Sequence, residues 1–238
     1  MEKVDQEAIK DFYNSVDDVW PHDNDWYSYT RKGIYKYVRK NCNPLNNSYI
    51  LNAGSGGNDY GLKSDNIYHV DIAGDKIAHL KNAAVSSIEK MPFPDGMFDY
   101  SICVGSVINY CDAITAITEM SRVLKKNGIL ILEFNSSISF EYFGKEEYSK
   151  PVTIGNSIYI GQSHRFWIYS FDYIKKILKE NSFNIQKYSG LHILSSWYYK
   201  KCNDENIAAK LAKFDCIFRC MPYFKKHANS LILLCKKI

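Results

Sequence analysis

The chain has 238 residues, room for one α/β domain with a full core and tight for two. Its formal net charge is +4 and its lysines and arginines are spread in short runs, which excludes the continuous basic stripe of an extended nucleic-acid surface. No apolar run approaches the roughly 20 residues of a membrane helix, and an odd set of cysteines without a Cys-x-x-Cys pair or a signal peptide excludes a disulfide framework and sets the expectation of a cytoplasmic protein.

Residues 6–16 and 29–39 place Ile9, Phe12 and Tyr13, then Ile34, Tyr35 and Val38, at spacings near three and four, predicting two short helices. The run Trp20-Pro21-His22-Asp23-Asn24-Asp25-Trp26 between them is turn-rich. His22, Asp23 and Asp25 are the nearest approach to a metal group, but their spacing matches no ligand set and reads as a loop cap, so no metal is expected. Two helices ahead of the first strand would lie over that strand's end.

From residue 48 the texture changes. Residues 48–53 read as a short apolar strand, broken by Gly54-Ser55-Gly56-Gly57. Further strands are predicted at 67–71, ending in Asp71, then at 83–86, 98–103 and 128–134. Residues 113–124 run with helical spacing, and Lys125-Lys126-Asn127-Gly128 supplies the stop. Strands alternating with helical stretches give a mostly parallel sheet covered on both faces.

Beyond Phe134 the pattern loosens into an aromatic, Gly-punctuated segment over 135–165. Residues 171–181 form an amphipathic helix after Ser170 as N-cap, 183–194 a sixth strand with its exit, and 229–237 a final strand. The helical, aromatic stretch at about 196–228 is too long for a hairpin and is expected to cap the site. Aromatic residues reach 15%, with the excess outside the central stretch; pocket walls and codon bias account for it equally well.

The strongest local signal is strand, Gly-x-Gly, helix, then an acid at the tip of the next strand. Glycines let the backbone approach a ligand, and a carboxylate accepts both hydroxyls of a ribose. Asp71 stands 15 residues after Gly56, the length of one crossover. A nicotinamide-binding fold satisfies that signal too.

Four motifs in order sharpen it. Tyr49-Ile-Leu-Asn-Ala-Gly-Ser-Gly-Gly57, His69-Val-Asp-Ile72, Glu89-Lys-Met-Pro-Phe-Pro-Asp-Gly-Met-Phe-Asp99 and Ile117-Thr-Glu-Met-Ser-Arg-Val-Leu-Lys-Lys-Asn-Gly-Ile-Leu-Ile-Leu132 resemble the class I S-adenosylmethionine-dependent methyltransferases, particularly those acting on small molecules. The resemblance covers about residues 45–135. It implies a Rossmann-like seven-stranded, mostly parallel sheet with the last strand antiparallel, an N-terminal helical lid and a helical cap. On that reading 1–238 is a single domain, with a lid at 1–44, a cofactor half at 45–135 and a substrate-side half at 136–238.

The family pattern implies that S-adenosyl-L-methionine is the cofactor. Gly54, Ser55 and Gly56 would pass beneath its methionine part and Asp71 would hold the ribose hydroxyls. Ile72 would pack on adenine, Ser87 and Ile88 would meet the adenine edge, and Val104 and Gly105 with Ser106 would form the floor beside the sulfonium. Tyr13 and Arg31 resemble lid positions that reach the cofactor's carboxylate; solvated helix residues are the competing reading. Three positions depart from the pattern. Asn52 replaces the acid before the first glycine, Asn58 the third glycine, and Ser87 the adenine-edge acid.

Methyl transfer is an in-line displacement that needs positioning and desolvation, with a base only where the acceptor must lose a proton. Segments overhanging the sheet's carboxyl edge offer Trp20, Trp26, Asn109, Arg165 and Trp167 for the acceptor. His164 is the best base by its ordinary pKa, against a surface-loop reading, and Tyr110 stands where relatives often carry His. His192 is open in the same way, and His69 reads as structural. Glu119 with Arg122 reads as an ion pair, Pro92, Phe93 and Phe98 as core, and Asp99 as an anchor for its strand. The expected acceptor is an oxygen or nitrogen on a small molecule, glycan unit or peptide. A non-catalytic cofactor-binding module and a nicotinamide oxidoreductase are the rivals. Oligomeric state is not written in the residues.

Overall fold

Ile50–Ala53 (β1) is apolar but for Asn52 and buried at every position, as a strand covered on both faces must be. It pairs in parallel with Ile67–Asp71 (β2) on one side and Phe98–Cys103 (β4) on the other. The computed structural model describes residues 4–21, 23–45 and 47–238. The loop-cap reading of His22 therefore lies outside the described residues.

Ala83–Val85 (β3) extends the sheet beyond β2, Leu124–Asn135 (β5) lies beside β4, and Phe183–Leu191 (β8) forms the far edge. Ser230–Lys237 (β9) inserts between β5 and β8, antiparallel to both. The order is β3-β2-β1-β4-β5-β9-β8, a seven-stranded sheet with its last strand reversed, as the motifs imply.

Ala113–Val123 (α4) and Phe171–Glu180 (α5) pack Ile117, Met120, Ile174 and Leu178 on one face, against Phe98 and Phe134. The Asp112 carboxylate caps α4 at the amide of Thr115, and the Ser170 hydroxyl caps α5 at Tyr173. Gln6–Ser15 (α1) and Asp25–Asn41 (α2) precede the sheet. Among the helices of the described residues α2 covers the second face, setting Ile34 and Val38 against Ile50, Ile102, Ile131 and Ile232.

One expectation fails. No helix follows the glycine-rich turn: residues 54–66 run as successive turns. Gly54, Gly56, Gly57, Tyr60 and Gly61 all hold positive φ, a left-handed backbone that cannot be continued as a right-handed helix. Asn58 braces the turn by donating to the carbonyl of Ser55 at 3.2 Å and accepting from the Tyr35 hydroxyl at 2.9 Å. The crossover from β2 to β3 is equally thin, a single turn at Gly74–Ile77 (α3).

A second difference lies after β5. Within the stretch that read as irregular, Val152–Tyr159 (β6) and Gln162–Tyr169 (β7) form an antiparallel hairpin. Its two-residue turn sets Ile160 at φ 47° and Gly161 at φ 76°. A β-branched residue there hides the usual hairpin signal.

Between β8 and β9 the chain folds as the expected helical cap: Leu194–Cys202 (α6), Glu205–Ala209 (α7), Asp215–Phe218 (α8) and Pro222–Lys226 (α9). The buried Asp215 carboxylate pins it, accepting from the amides of Ile193 and Leu194 and from the Tyr29 hydroxyl. No helix among the described residues is long and apolar enough to cross a membrane.

Candidate functional site

The tips of β1, β2, β3, β4 and β5 open into one cavity of about 710 Å³, roofed by α1, α2, the β6–β7 hairpin and the cap. That volume falls inside the roughly 300–1,000 Å³ of small-molecule sites, and the gap between β1 and β4 is where crossovers diverge to opposite sides of the sheet.

Asp71 ends β2 and faces this cavity. One carboxylate oxygen accepts the amide of Gly56 at 2.8 Å and the other the amide of Ala73 at 2.8 Å. Burial pushes its carboxyl above the ordinary range, and the two amides pull it back. Gly54 admits no side chain: a Cβ there would sit 2.3 Å from Val107. The Ser55 hydroxyl bonds Nδ1 of buried His69 at 2.9 Å, so His69 is structural as read. Ile72, Ser87, Ile88, Val104 and Gly105 line the same inner half. Of the replaced acids, Asn52 donates to the carbonyl of Asn58 but leaves its own Oδ1 buried without a partner.

Behind the β4 tip lies a residue that the sequence reading missed. Glu133 is fully buried in β5 yet lines the cavity. The amide of Ser106 donates to it at 2.6 Å and the Ser230 hydroxyl donates to its other oxygen. Burial raises its pKa. A lone acid in the apolar run 129–134 was the available signal.

Tyr13 and Tyr110 both line the cavity and touch edge to face, with ring centroids 6.2 Å apart. Burial raises both phenols, so both stay protonated at neutral pH. Trp20 lines the cavity with its indole Nε1 buried and unpartnered, beside Gly105. Trp26 lines it too, stacked on His192 at 3.6 Å. His192 is wholly buried between the hydroxyls of Thr30 and Ser195, a structural position. Asn109 lines the floor but spends its amide on the carbonyl of Trp167 and the amide of Asn135.

Four candidates do not line the cavity. Arg31 falls on the outward stripe of α2 with Ser28, Lys32 and Tyr35, its guanidinium 5.5 Å from the Tyr35 ring. Arg165 is exposed on β7, and strand alternation sends it and Trp167 opposite to Phe166, which does line the cavity. His164 is neither a surface residue nor a wall residue. It is buried 4.3 Å from the Phe12 ring with Tyr13, Tyr110 and Tyr159 around it, and neither ring nitrogen has a partner. Burial lowers its pKa.

The outer wall went unread in the sequence. It comprises Glu141 and Tyr142 after β5, Tyr159 of the hairpin, Tyr199 and Glu205 of the cap, and Tyr27 of α2. Glu205 accepts from Asn24 at 2.8 Å and from the Tyr27 hydroxyl at 3.1 Å, closing the cap onto α2. Away from the cavity, Arg122 pairs with Glu119 at 2.7 Å and Asp99 accepts the amide of Tyr49, the structural roles read for them.

The family described as "Methyltransferase domain" matches residues 51–132, the stretch that supplies most of the inner cavity. A ubiquinone/menaquinone biosynthesis C-methyltransferase of Rickettsia massiliae is 30% identical over 164 residues, which are 57% of this chain, and the chain spans 65% of that relative's length. The protein of the same name from Rickettsia felis is 28% identical over 78% of this chain and 88% of its own. Among solved structures, a geranyl diphosphate C-methyltransferase from Streptomyces coelicolor superposes with a TM-score of 0.59 at 11% identity, covering 98% of each chain. An S-adenosylmethionine-dependent methyltransferase from Clostridium acetobutylicum superposes with a TM-score of 0.57 at 15% identity, again over 98% of each chain. Motifs, strand order and these matches agree: the chain carries a methyltransferase-domain match over 51–132 and is similar to the class I S-adenosyl-L-methionine-dependent methyltransferases.

Proposed function

We propose that this chain is an enzyme that binds S-adenosyl-L-methionine in the inner half of the cavity and methylates an oxygen or nitrogen of an acceptor admitted to the outer half. The acceptor would be a small molecule, a glycan unit or a peptide. The observation that carries this reading is Asp71, held at the cavity wall by two backbone amides with lone pairs left for a diol. In this reading 1–44 act as the lid, 45–135 as the cofactor half and 136–238 as the acceptor side of one domain.

The residues present fit the cofactor. The Gly54–Gly56 backbone offers close approach, Ile72 and Ile88 two apolar walls for a purine, and Ser87 a hydroxyl at its edge. Trp20 offers an indole N–H that lacks a partner, and Glu133 a buried negative charge beneath the β4 tip. When bound, the cofactor supplies an electrophilic methyl on a cationic sulfur. The chain's own task is to hold the acceptor in line and exclude water, which Tyr13, Tyr110, Trp20 and Phe166 do as cavity walls. His164 lies behind Tyr13, Tyr110 and Tyr159 rather than in the wall itself, so in this reading a base, where one is needed, comes from a wall carboxylate.

Three of the relatives named above carry the name carbon methyltransferase, but the family match ends at residue 132, before Glu141 and the cap that form the outer wall. Calorimetric titration with S-adenosylhomocysteine tests cofactor binding, and radiolabelled methyl transfer to acceptor panels separates an enzyme from a binding module. Absence of binding in the wild-type protein would sink the reading. Methylation of carbon acceptors alone would replace oxygen and nitrogen by carbon.

A further inference from the structure

We infer that the acceptor is an organic amine, bound as its cation by Glu141 and Glu205 inside the tyrosine wall of the outer cavity. This rests on the preceding assignment of the inner half to the cofactor.

Four carboxylates line the cavity: Asp71, Glu133, Glu141 and Glu205. Among the described residues that line it, Lys76 is the one lysine or arginine, and its ammonium is bound to the carbonyl of Val16. Asp71 and Glu133 are held by backbone amides at the strand tips and belong to the inner half. The other two differ. Glu141 comes from the short turn after β5 and accepts the side-chain amide of Asn229 at 2.6 Å. Glu205 comes from the cap and is met by Asn24 and Tyr27, both uncharged.

These two acids share one neighbourhood. Both act on the phenol of Tyr199, raising it, and Glu205 acts on Glu141. Lys145 is the nearby cation, lying over the Tyr142 ring at 5.6 Å from an exposed position. Burial pushes both carboxyls up. Two anions drawn together out of water and left without a buried cation are an unbalanced arrangement that an incoming ammonium would balance.

The rings around them fit the same occupant. Tyr27, Tyr142, Tyr159 and Tyr199 line this half with Trp26, and ring faces attract ammonium groups. A phosphate or carboxylate acceptor would be repelled here, and a neutral alcohol would leave both charges unbalanced. The amine must become neutral before it can attack. One N–H proton passes to a carboxylate oxygen, the electron pair stays on nitrogen, and a carboxyl already raised by burial is suited to receive it.

The test uses three probes of one shape on protein saturated with S-adenosylhomocysteine: tyramine, tyrosol and 3-(4-hydroxyphenyl)propionate, carrying positive, zero and negative charge. The expected result is tyramine binding at least about tenfold tighter than tyrosol by calorimetry, with the propionate weakest. In Glu141→Gln with Glu205→Gln that preference should fall within about twofold. Glu205→Gln alone, which keeps one carbonyl acceptor for Asn24 or Tyr27, should lose part of it. Equal binding of the neutral probe, no binding of tyramine, or a preference that survives the double substitution overturns the inference. The preliminary titration with S-adenosylhomocysteine reports separately: if it fails in the wild-type protein, the cofactor assignment falls and takes this inference with it.

Discussion

The carboxylate of Asp71 accepts the amide of Gly56 at 2.8 Å, which ties the tip of β2 to the glycine-rich turn after β1. The bond fixes the turn and leaves the carboxylate facing the cavity. Replacing Asp71 by Asn keeps the shape and one acceptor but removes the charge. Affinity for S-adenosylhomocysteine is expected to drop about 10- to 100-fold, the range that one lost charge-assisted hydrogen bond produces. Calorimetry with the product checks this, and unchanged affinity would remove Asp71 from the site.

Gly54 and Gly96 both hold positive φ, at 72° and 61°, but their surroundings differ. A Cβ at Gly54 would lie 2.3 Å from Val107, whereas one at Gly96 meets nothing within 4 Å. Gly96→Ala should therefore cost only the backbone term, about 1 kcal/mol. Gly54→Ala adds steric overlap and is expected to lose roughly 2–4 kcal/mol. Urea unfolding of the two variants side by side decides it; equal losses would mean that the turn relaxes freely around Val107.

His192 makes stability pH-dependent. Burial between Trp26, Thr30 and Ser195 lowers its pKa from 6.5 to about 3. The unfolded chain takes up a proton near 6.5 that the folded chain refuses. The stability that His192 contributes is therefore complete above that pH and is lost as pH falls toward 3, at up to about 1.4 kcal/mol per pH unit. A His192→Asn variant lacks this term. The gap between wild type and variant in urea midpoints should narrow from pH 7 to pH 4. Parallel curves would assign the acid sensitivity to other groups.

Much of this architecture was legible because its signals are local. Strands β2 and β4 start and stop where apolar runs meet turns, and Asp71 and Phe98 mark their ends as read. The failures have physical causes. A helix after Gly57 was expected from the motif, yet Asn58, Tyr60 and Gly61 give the chain a succession of turns, and α2, from ahead of β1, supplies the cover. Strand alternation in β7 buries His164 and turns Arg165 to the outside, and it could not be applied to a hairpin whose Ile160 turn carried no usual signal. Glu141 and Glu205 line one cavity because the cap folds back over it, a long-range arrangement that no spacing rule reports.

Arg122 is a brace whose removal should change stability rather than binding. It donates to Glu119, to Asp95 and to the carbonyls of Met91 and Phe93, and Glu119 accepts the amide of Met91. That grip fixes the loop leading into β4. Arg122→Leu is expected to lose about 1–2 kcal/mol, since the pair is partly solvated. Asp95→Asn should change little, because that carboxylate is 81% exposed. Urea midpoints test both, and a large loss in affinity for S-adenosylhomocysteine with Arg122→Leu would show that the brace reaches the site.

Trp20 separates stability from binding most sharply. Its ring lies against Gly105 at the β4 tip, and its Nε1 donor is buried in the cavity wall without an acceptor. Such a donor destabilises the ligand-free fold by about 1–3 kcal/mol. Trp20→Phe removes the donor and retains most of the apolar surface, so the ligand-free protein should unfold at an equal or higher urea concentration. If the indole N–H serves the bound cofactor, the same substitution should weaken S-adenosylhomocysteine by about tenfold, the worth of one hydrogen bond of about 1.4 kcal/mol. The two effects have opposite signs, which packing alone does not produce. Loss of stability with unchanged affinity would reduce Trp20 to a wall residue and leave its donor without a function.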